Sequence, residues 1–162
     1  MIISLIVRSL VGVALLAAAA LAVAMVRKGR HQSLLRSARA SFQLRREWLE
    51  ADFLTRASAR GLPRGLRWSD CQFEDAVVFA RDRRSRQLRA LIAVTIRFEA
   101  IDGGGMEEVE AVSMPRAATA VFFYDGKSWS TDGKAIFNLN PAETMRHYEH
   151  ELEPVSDASL AD

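Results

Sequence analysis

Residues 88–101 read Leu-Arg-Ala-Leu-Ile-Ala-Val-Thr-Ile-Arg-Phe-Glu-Ala-Ile, and this stretch decides the fold class. Ala90, Ile92, Val94, Ile96, Phe98 and Ala100 fall on one side of a period of two; Thr95, Arg97 and Glu99 fall on the other. Successive side chains of a strand point to opposite faces, so the alternation predicts one buried and one wet face. That is the mark of an antiparallel sheet laid on a core.

Turn chemistry marks the neighbouring elements. Upstream, the apolar run Ala-Val-Val-Phe-Ala at 76–80 predicts a shorter strand, joined to the first through the polar segment 81–86. Downstream, Asp102-Gly103-Gly104-Gly105 predicts a hairpin loop. Pairing Ile101 with Met106 sets Phe98 opposite Val109, Ile96 opposite Ala111, and Arg97 opposite Glu110 as a cross-strand charge pair. A slip of one residue would set Phe98 against Glu110, so the first register is expected. Pro115 ends that strand; 117–124 predicts another, Asp125-Gly126 a tight turn, and 127–138 a last strand, irregular at Asp132-Gly133. A short helix then opens with Asn140 as N-cap, Pro141 in the first turn and Glu143 where a capping box places an acid, and is expected to run to about Glu151.

Before the sheet, residues 33–60 predict one long helix, closed by Gly61 and Pro63. Leu35, Ala38, Phe42, Leu49 and Phe53 lie near one stripe, with Trp48 and Leu54 widening the apolar surface. A coiled-coil dimer through this helix would place Arg45 and Asp52 in its core, so packing on the sheet is the expectation.

The first 26 residues carry one charge, Arg8, and residues 9–26 are an unbroken run of 18 apolar or small side chains. As a helix that run covers roughly 27 Å, close to a bilayer's hydrocarbon core. The rival reading is a cleaved signal peptide, since Ala22-Val23-Ala24 fits a small-x-small site; the missing basic n-region favours an anchor. Positive charge stands on the far side, at Arg27, Lys28, Arg30, Arg36 and Arg39. Lys and Arg flanking a span prefer the cytoplasm, so the expectation is a single pass through the cell (inner) membrane, N-terminus out and C-terminal domain cytoplasmic. Ala14, Ala18 and Ala22 have the spacing that lets two spans pack closely, which leaves a homodimer open.

The net charge of +2 hides an asymmetry. Residues 27–67 hold eleven Lys/Arg against three acids, or +8, and 140–162 hold one Arg against six acids, or −5. The basic end suits contact with anionic headgroups through Arg27, Lys28, Arg30 and Arg36. The single cysteine, Cys71, excludes an internal disulfide and a Cys-based zinc site.

No constellation for chemistry emerges. His147 and His150 would share a helix face with Glu143 and Glu151 near, yet the spacing matches no zinc-protease signature. Cys71 sits among Asp70, Glu74 and Asp75, which disfavour a thiolate. The five arginines at 81–89 lack an interleaved aromatic, so a charged hairpin end is expected there and nucleic acid is not. Phe53, Trp68, Phe79, Phe98 and Trp129, with Tyr124, could line a pocket between helix and sheet. No catalytic residue, metal ligand or cofactor is expected.

The expected fold is therefore α+β: a transmembrane helix, a long amphipathic helix packed on a four- to five-stranded antiparallel meander, and a short C-terminal helix. The divisions are an anchor at 1–26, a basic juxtamembrane segment and helix at 27–60, the sheet domain with its closing helix at 61–153, and a disordered tail at 154–162. In outline, from Ser33 to about Glu151, this is similar to membrane-tethered cystatin-like or NTF2-like domains, including inner-membrane scaffold components of secretion machines. The functional expectation is a membrane-anchored, non-enzymatic interaction or scaffold protein with an unknown protein partner; the alternative is a tethered domain that binds a small ligand, and behind it an enzyme or metal site at His147 and His150.

Overall fold

A computed structural model of the chain places the alternating stretch at the centre of a five-stranded antiparallel sheet. The structure describes residues 2–59 and 65–155, with backbone alone at 2–17, 27, 28, 30, 31 and 111. In chain order the elements are α1 (Ile2–Leu44), α2 (Arg46–Ala59), β1 (Leu66–Asp82), β2 (Leu88–Ala100), β3 (Arg116–Tyr124), β4 (Trp129–Phe137), α3 (Pro141–His147) and β5 (Leu152–Pro154). One turn of 3-10 helix, Glu110–Val112, lies between β2 and β3. The strand order is β4-β3-β2-β1-β5. The fold class is α+β, as the periodicity predicts.

The chain divides into two units, Met1–Ala40 and Ser41–Asp162. The backbone of the first is helical from Ile2 onward. Among the described residues no helix is long and apolar enough to cross a membrane. The anchor expected at 1–26 falls mostly outside those residues, because side chains are described only from Ala18; the expected stop signal at Gly61 and Pro63 and the tail from 156 fall outside them too.

The helix expected at 33–60 is two helices. The break is at Arg45, whose N–H bonds the Phe42 carbonyl at 3.1 Å, three residues back, before Leu49 N–H resumes the four-residue pattern on Arg45 O at 2.9 Å. Neither Gly nor Pro marks the break. Arg46, just beyond it, reaches the sheet: its guanidinium donates to the carbonyls of Glu74 and Asp75 in β1 and pairs with Glu50 at 2.7 Å. The phase of the helix survives, so Phe42, Leu49, Phe53 and Ala57 form one buried stripe. Trp48 and Leu54 do not widen it; they are exposed.

That stripe meets a sheet face made of aromatic rings. Phe42 packs edge-on against Trp129, Phe122 and Phe79 with centroids 4.9, 5.4 and 6.0 Å away. Phe53 does the same with Phe73 at 5.6 Å and Trp68 at 6.4 Å. Burying each such side chain is worth about 1.5–3 kcal/mol, and edge-to-face contact adds to it.

β1 is far longer than the expected strand at 76–80, because two bulges hide its period. On β2 the partners run Phe98, Arg97, Ile96 without a gap, but on β1 they run Trp68, Asp70, Cys71, leaving Ser69 extra. A second irregularity lies between Phe73 and Val77. The single extra residue at Ser69 shifts the alternation, so Trp68 and Cys71 share the core face three residues apart, while the two extra residues between Phe73 and Val77 interrupt the ladder and leave its phase unchanged.

The face opposite α2 is only partly wet. Arg97 and Glu99 are exposed there, as expected, but Leu91 is buried in a second cluster with Ala80, Val121 and Leu152, flanked by Met145 and Tyr148. α3 and β5 provide this cover. The capping box of α3 forms as predicted: Glu143 N–H donates to Asn140 Oδ1, and Asn140 N–H to Glu143 Oε2, both at 2.9 Å. A buried hydroxyl pair fixes the helix to β3, with Thr144 donating to Thr119 at 3.1 Å and Thr119 to the Leu139 carbonyl at 2.7 Å. The helix ends at His147 rather than near Glu151, and the chain turns back as β5 beside residues 80–82 of β1, with Val155 N–H on Phe79 O. Part of the expected tail is thus a strand.

The hairpin register expected at Ile101–Met106 does not form. β2 pairs instead with β3, Leu88 with Tyr124 through Ile96 with Arg116. Gly104 rests on Gly65, where a Cβ on either residue would come within 2.6–2.7 Å of the other's backbone. Ile101 N–H also bonds Gly65 O at 2.7 Å, so the loop is tied to the start of β1. The Glu107 carboxylate bends back onto Gly103 N–H, and loop amides, first its own, hold it ionised below the usual carboxylate range. The expected register would also have set Glu99 against Glu108, whereas β3 offers Ala118, Ala120 and Phe122 to the core.

The irregularity expected at Asp132-Gly133 is present, between the pairs Ala120–Ala135 and Phe122–Thr131. Its cause is α2. A Cβ on Gly133, whose φ is +76°, would lie 2.5 Å from Ala57 N and 2.7 Å from Arg56 C. Gly133→Ala should therefore lower the unfolding free energy by about 3 kcal/mol, joining left-handed backbone strain to overpacking. Gly126→Ala, at φ +97° with open space around it, should cost only the backbone part, about 1–2 kcal/mol. Urea unfolding followed by tryptophan fluorescence measures both; equal losses would show that α2 is not seated on Gly133.

Candidate functional site

The five side chains expected to line a pocket come together, but they fill the space between α2 and the sheet. Phe53, Phe98 and Trp129 are buried and Trp68 and Phe79 half-buried. Trp68 lies 5.5 Å from Phe98, and Phe79 5.9 Å from Trp129, so every ring of the set has an aromatic neighbour, within the set or among Phe42, Phe73, Phe122 and Phe137. Tyr124 caps the cluster on Trp129 at 5.1 Å. A ligand would have to displace these contacts.

The histidines are not on one helix face. His147 is the last residue of α3 and packs on the Tyr148 ring at 4.8 Å; His150 lies in the following turn, exposed, 3.8 Å from the Glu149 carboxylate. Among the described residues no group of three or more His, Cys, Asp or Glu side chains could hold a metal ion.

Cys71 faces the core from β1, opposite Ile96. Burial first, then the charges of Asp70 and Glu50, push its thiol up to about 12, so it stays protonated at neutral pH. The nearby acids are used locally. Asp70 accepts from Cys71 N–H at 2.8 Å and from the Gln72 amide at 3.0 Å. These bonds cover part of the outer edge of β1, as native sheets commonly do.

The arginine-rich hairpin end is largely neutralised from within. Glu153 of β5 accepts a 2.7 Å bond from Arg86 and lies 3.6 Å from Arg83 and 4.0 Å from Arg81. Arg89 pairs with Asp82 and stacks over Phe123 at 5.6 Å. Hydrogen bonds from the Ser85 and Arg84 amides and the charge of Arg89 hold the Asp82 carboxyl below its ordinary range, against its partial burial. Three of the five arginines, Arg81, Arg83 and Arg86, are therefore a structural clamp for β5. Nothing in the spacing of Glu153 advertised this, because its partners lie about seventy residues upstream.

Of the four basic residues expected at a membrane surface, Arg36 is exposed on α1 and the side chains of Arg27, Lys28 and Arg30 lie outside the described residues. Two surface features went unread in the sequence. One is the outer side of the α1–α2 junction, where Leu44 is 88% exposed, Trp48 59% and Leu54 37%. The four-residue spacing of Leu44 and Trp48, on the side away from Phe42, Leu49 and Phe53, was visible and could have separated the two faces. The other is a groove of about 330 Å³ between the end of β2 and the 106–113 loop, floored by Phe98 and Val112 and rimmed by Glu99, Glu107, Glu108 and Glu110. No protein-family model matches the chain, and no curated protein or solved structure matches it either.

Proposed function

We propose that this chain is a non-enzymatic, membrane-anchored interaction protein that presents its α+β domain on the cytoplasmic side of the cell membrane. The observation that carries the interaction reading is an α1–α2 junction that is apolar on its outer as well as its inner side. The inner side holds Phe42 of α1 and Leu49, Phe53 and Ala57 of α2, all buried against the sheet. The outer side holds Leu44 of α1 and Trp48 of α2 in solvent, with Leu54 partly exposed on the flank. A large exposed aromatic among aliphatic neighbours is the usual composition of a protein contact. The anchor is supported by the uncharged run at 9–26, and the orientation by the basic residues from Arg27 to Arg39 behind it.

The ligand-pocket alternative gains no support from a core in which its proposed lining residues touch one another. The histidine pair gains none either.

Two measurements test the proposal. The full chain should sediment with membranes and resist an alkaline carbonate wash, and a chain lacking residues 1–26 should move to the soluble fraction. A truncated chain that still pellets, or a full chain that washes off, overturns the anchor. Trp48→Ser should change unfolding stability by less than about 0.5 kcal/mol, as an exposed site does. Phe53→Ala, from the buried side of the same helix, should cost about 3–5 kcal/mol. A large loss at Trp48 would assign that side chain to folding instead of contact.

A further inference from the structure

We infer that the groove beside the end of β2 binds a short extended peptide segment in which basic and apolar side chains alternate. The inference gives the interaction reading a site and a partner chemistry; it rests on that reading, and the anchor does not enter.

The first observation is an open strand edge. The β2–β3 ladder ends at Ile96–Arg116, yet β2 continues to Ala100, paired on its other side with β1. Among the described residues, 97–100 of β2 thus have no strand partner on the β3 side. The segment expected to fill that place, 106–111, stands off as turns and the Glu110–Val112 3-10 turn. The groove of about 330 Å³ lies between the two. An extended chain laid there would take up backbone groups that β3 starts too late to reach, the mode in which a peptide adds a strand to a sheet.

The second observation selects the partner's side chains. The floor is apolar: Phe98 and Val112 are nearly buried, and Val109 beside them is 42% exposed. The rim carries four glutamates, and among the described residues no Lys or Arg lines the groove. Two of those carboxylates are engaged, Glu107 on the Gly103 amide and Glu99 with Arg67 at 2.9 Å. Glu108 and Glu110 remain exposed at the mouth. Side chains of an added strand alternate between faces, so one set would meet Phe98 and Val112 while the other meets Glu108 and Glu110. The aliphatic stems of Lys and Arg suit such a mouth, lying along apolar surface with the charge outward.

The test uses the full chain in detergent micelles and a fluorescently labelled alternating Arg-Val peptide, read by anisotropy at low salt. The Arg-Val peptide should bind and an alternating Glu-Val peptide should not. Glu108→Lys with Glu110→Lys should weaken binding about tenfold or more. Glu149→Lys with Glu151→Lys, an equal charge change on the far acidic segment, should leave it unchanged. Methylating alternate backbone nitrogens of the peptide should abolish binding, and a methylated peptide that still binds overturns the strand-addition mode. Equal binding of the Glu-Val peptide, undiminished binding to the Glu108/Glu110 variant, or equal loss in the Glu149/Glu151 variant overturns the site. Such a failure leaves the reading carried by Leu44 and Trp48 intact; an anchor failure in the sedimentation experiment leaves the groove intact.

Discussion

The backbone of α2 lies against Gly133 at a separation that admits no side chain, and the arrangement of the domain depends on that contact. With α2 so close to β4, its Phe53 and Phe42 near the end of α1 reach into the sheet and meet rings from β1, β3 and β4. The β4 bulge exists to put Gly133 there: Thr131 donates to Val121 O at 2.9 Å and accepts from Gly133 N–H at 3.1 Å, pinning the irregular turn. At the other end of the core, Arg46 ties the helix start to the Glu74 and Asp75 carbonyls, where β1 has its own irregularity. Two bulges and one helix thus position each other.

The same contacts explain which elements the sequence disclosed. β2 and β3 are uninterrupted strands; β2 is legible from its alternation and β3 as a continuous apolar run that ends at Asp125-Gly126. The cap of α3 is a local arrangement of Asn140, Pro141 and Glu143, legible because every partner lies within three residues. β1 was half hidden, since the extra residue at Ser69 shifts its period of two and two more between Phe73 and Val77 interrupt its pairing. The break at Arg45 has no Gly or Pro, and its visible partners are carbonyls almost thirty residues away. β5 is three residues long, too short for any period. The hairpin after Ile101 was misassigned because Arg97 and Glu110 make a good local pair. The competing contact, Gly104 on Gly65, is one that only the folded chain reveals.

The candidate site shows the same division. The aromatic residues were correctly gathered from their positions, but nothing in their spacing says whether rings surround a space or fill it. Charge was misleading in a different way. The arginines at 81–89 look like a surface patch in one dimension, and in three they are largely occupied by Glu153 and Asp82. The proposed contact role rests on two places where apolar side chains stay in solvent, the outer side of the α1–α2 junction and the β2 groove.

The central claim joins that domain to a membrane with a defined orientation. Reporters placed after Asp162, beyond the β5 clamp, test it most directly. The account predicts that a fluorescent protein fused there is bright and membrane-bound, and that alkaline phosphatase fused at the same point is inactive. An active phosphatase would put the domain on the opposite side, and a bright but soluble fusion would remove the anchor altogether.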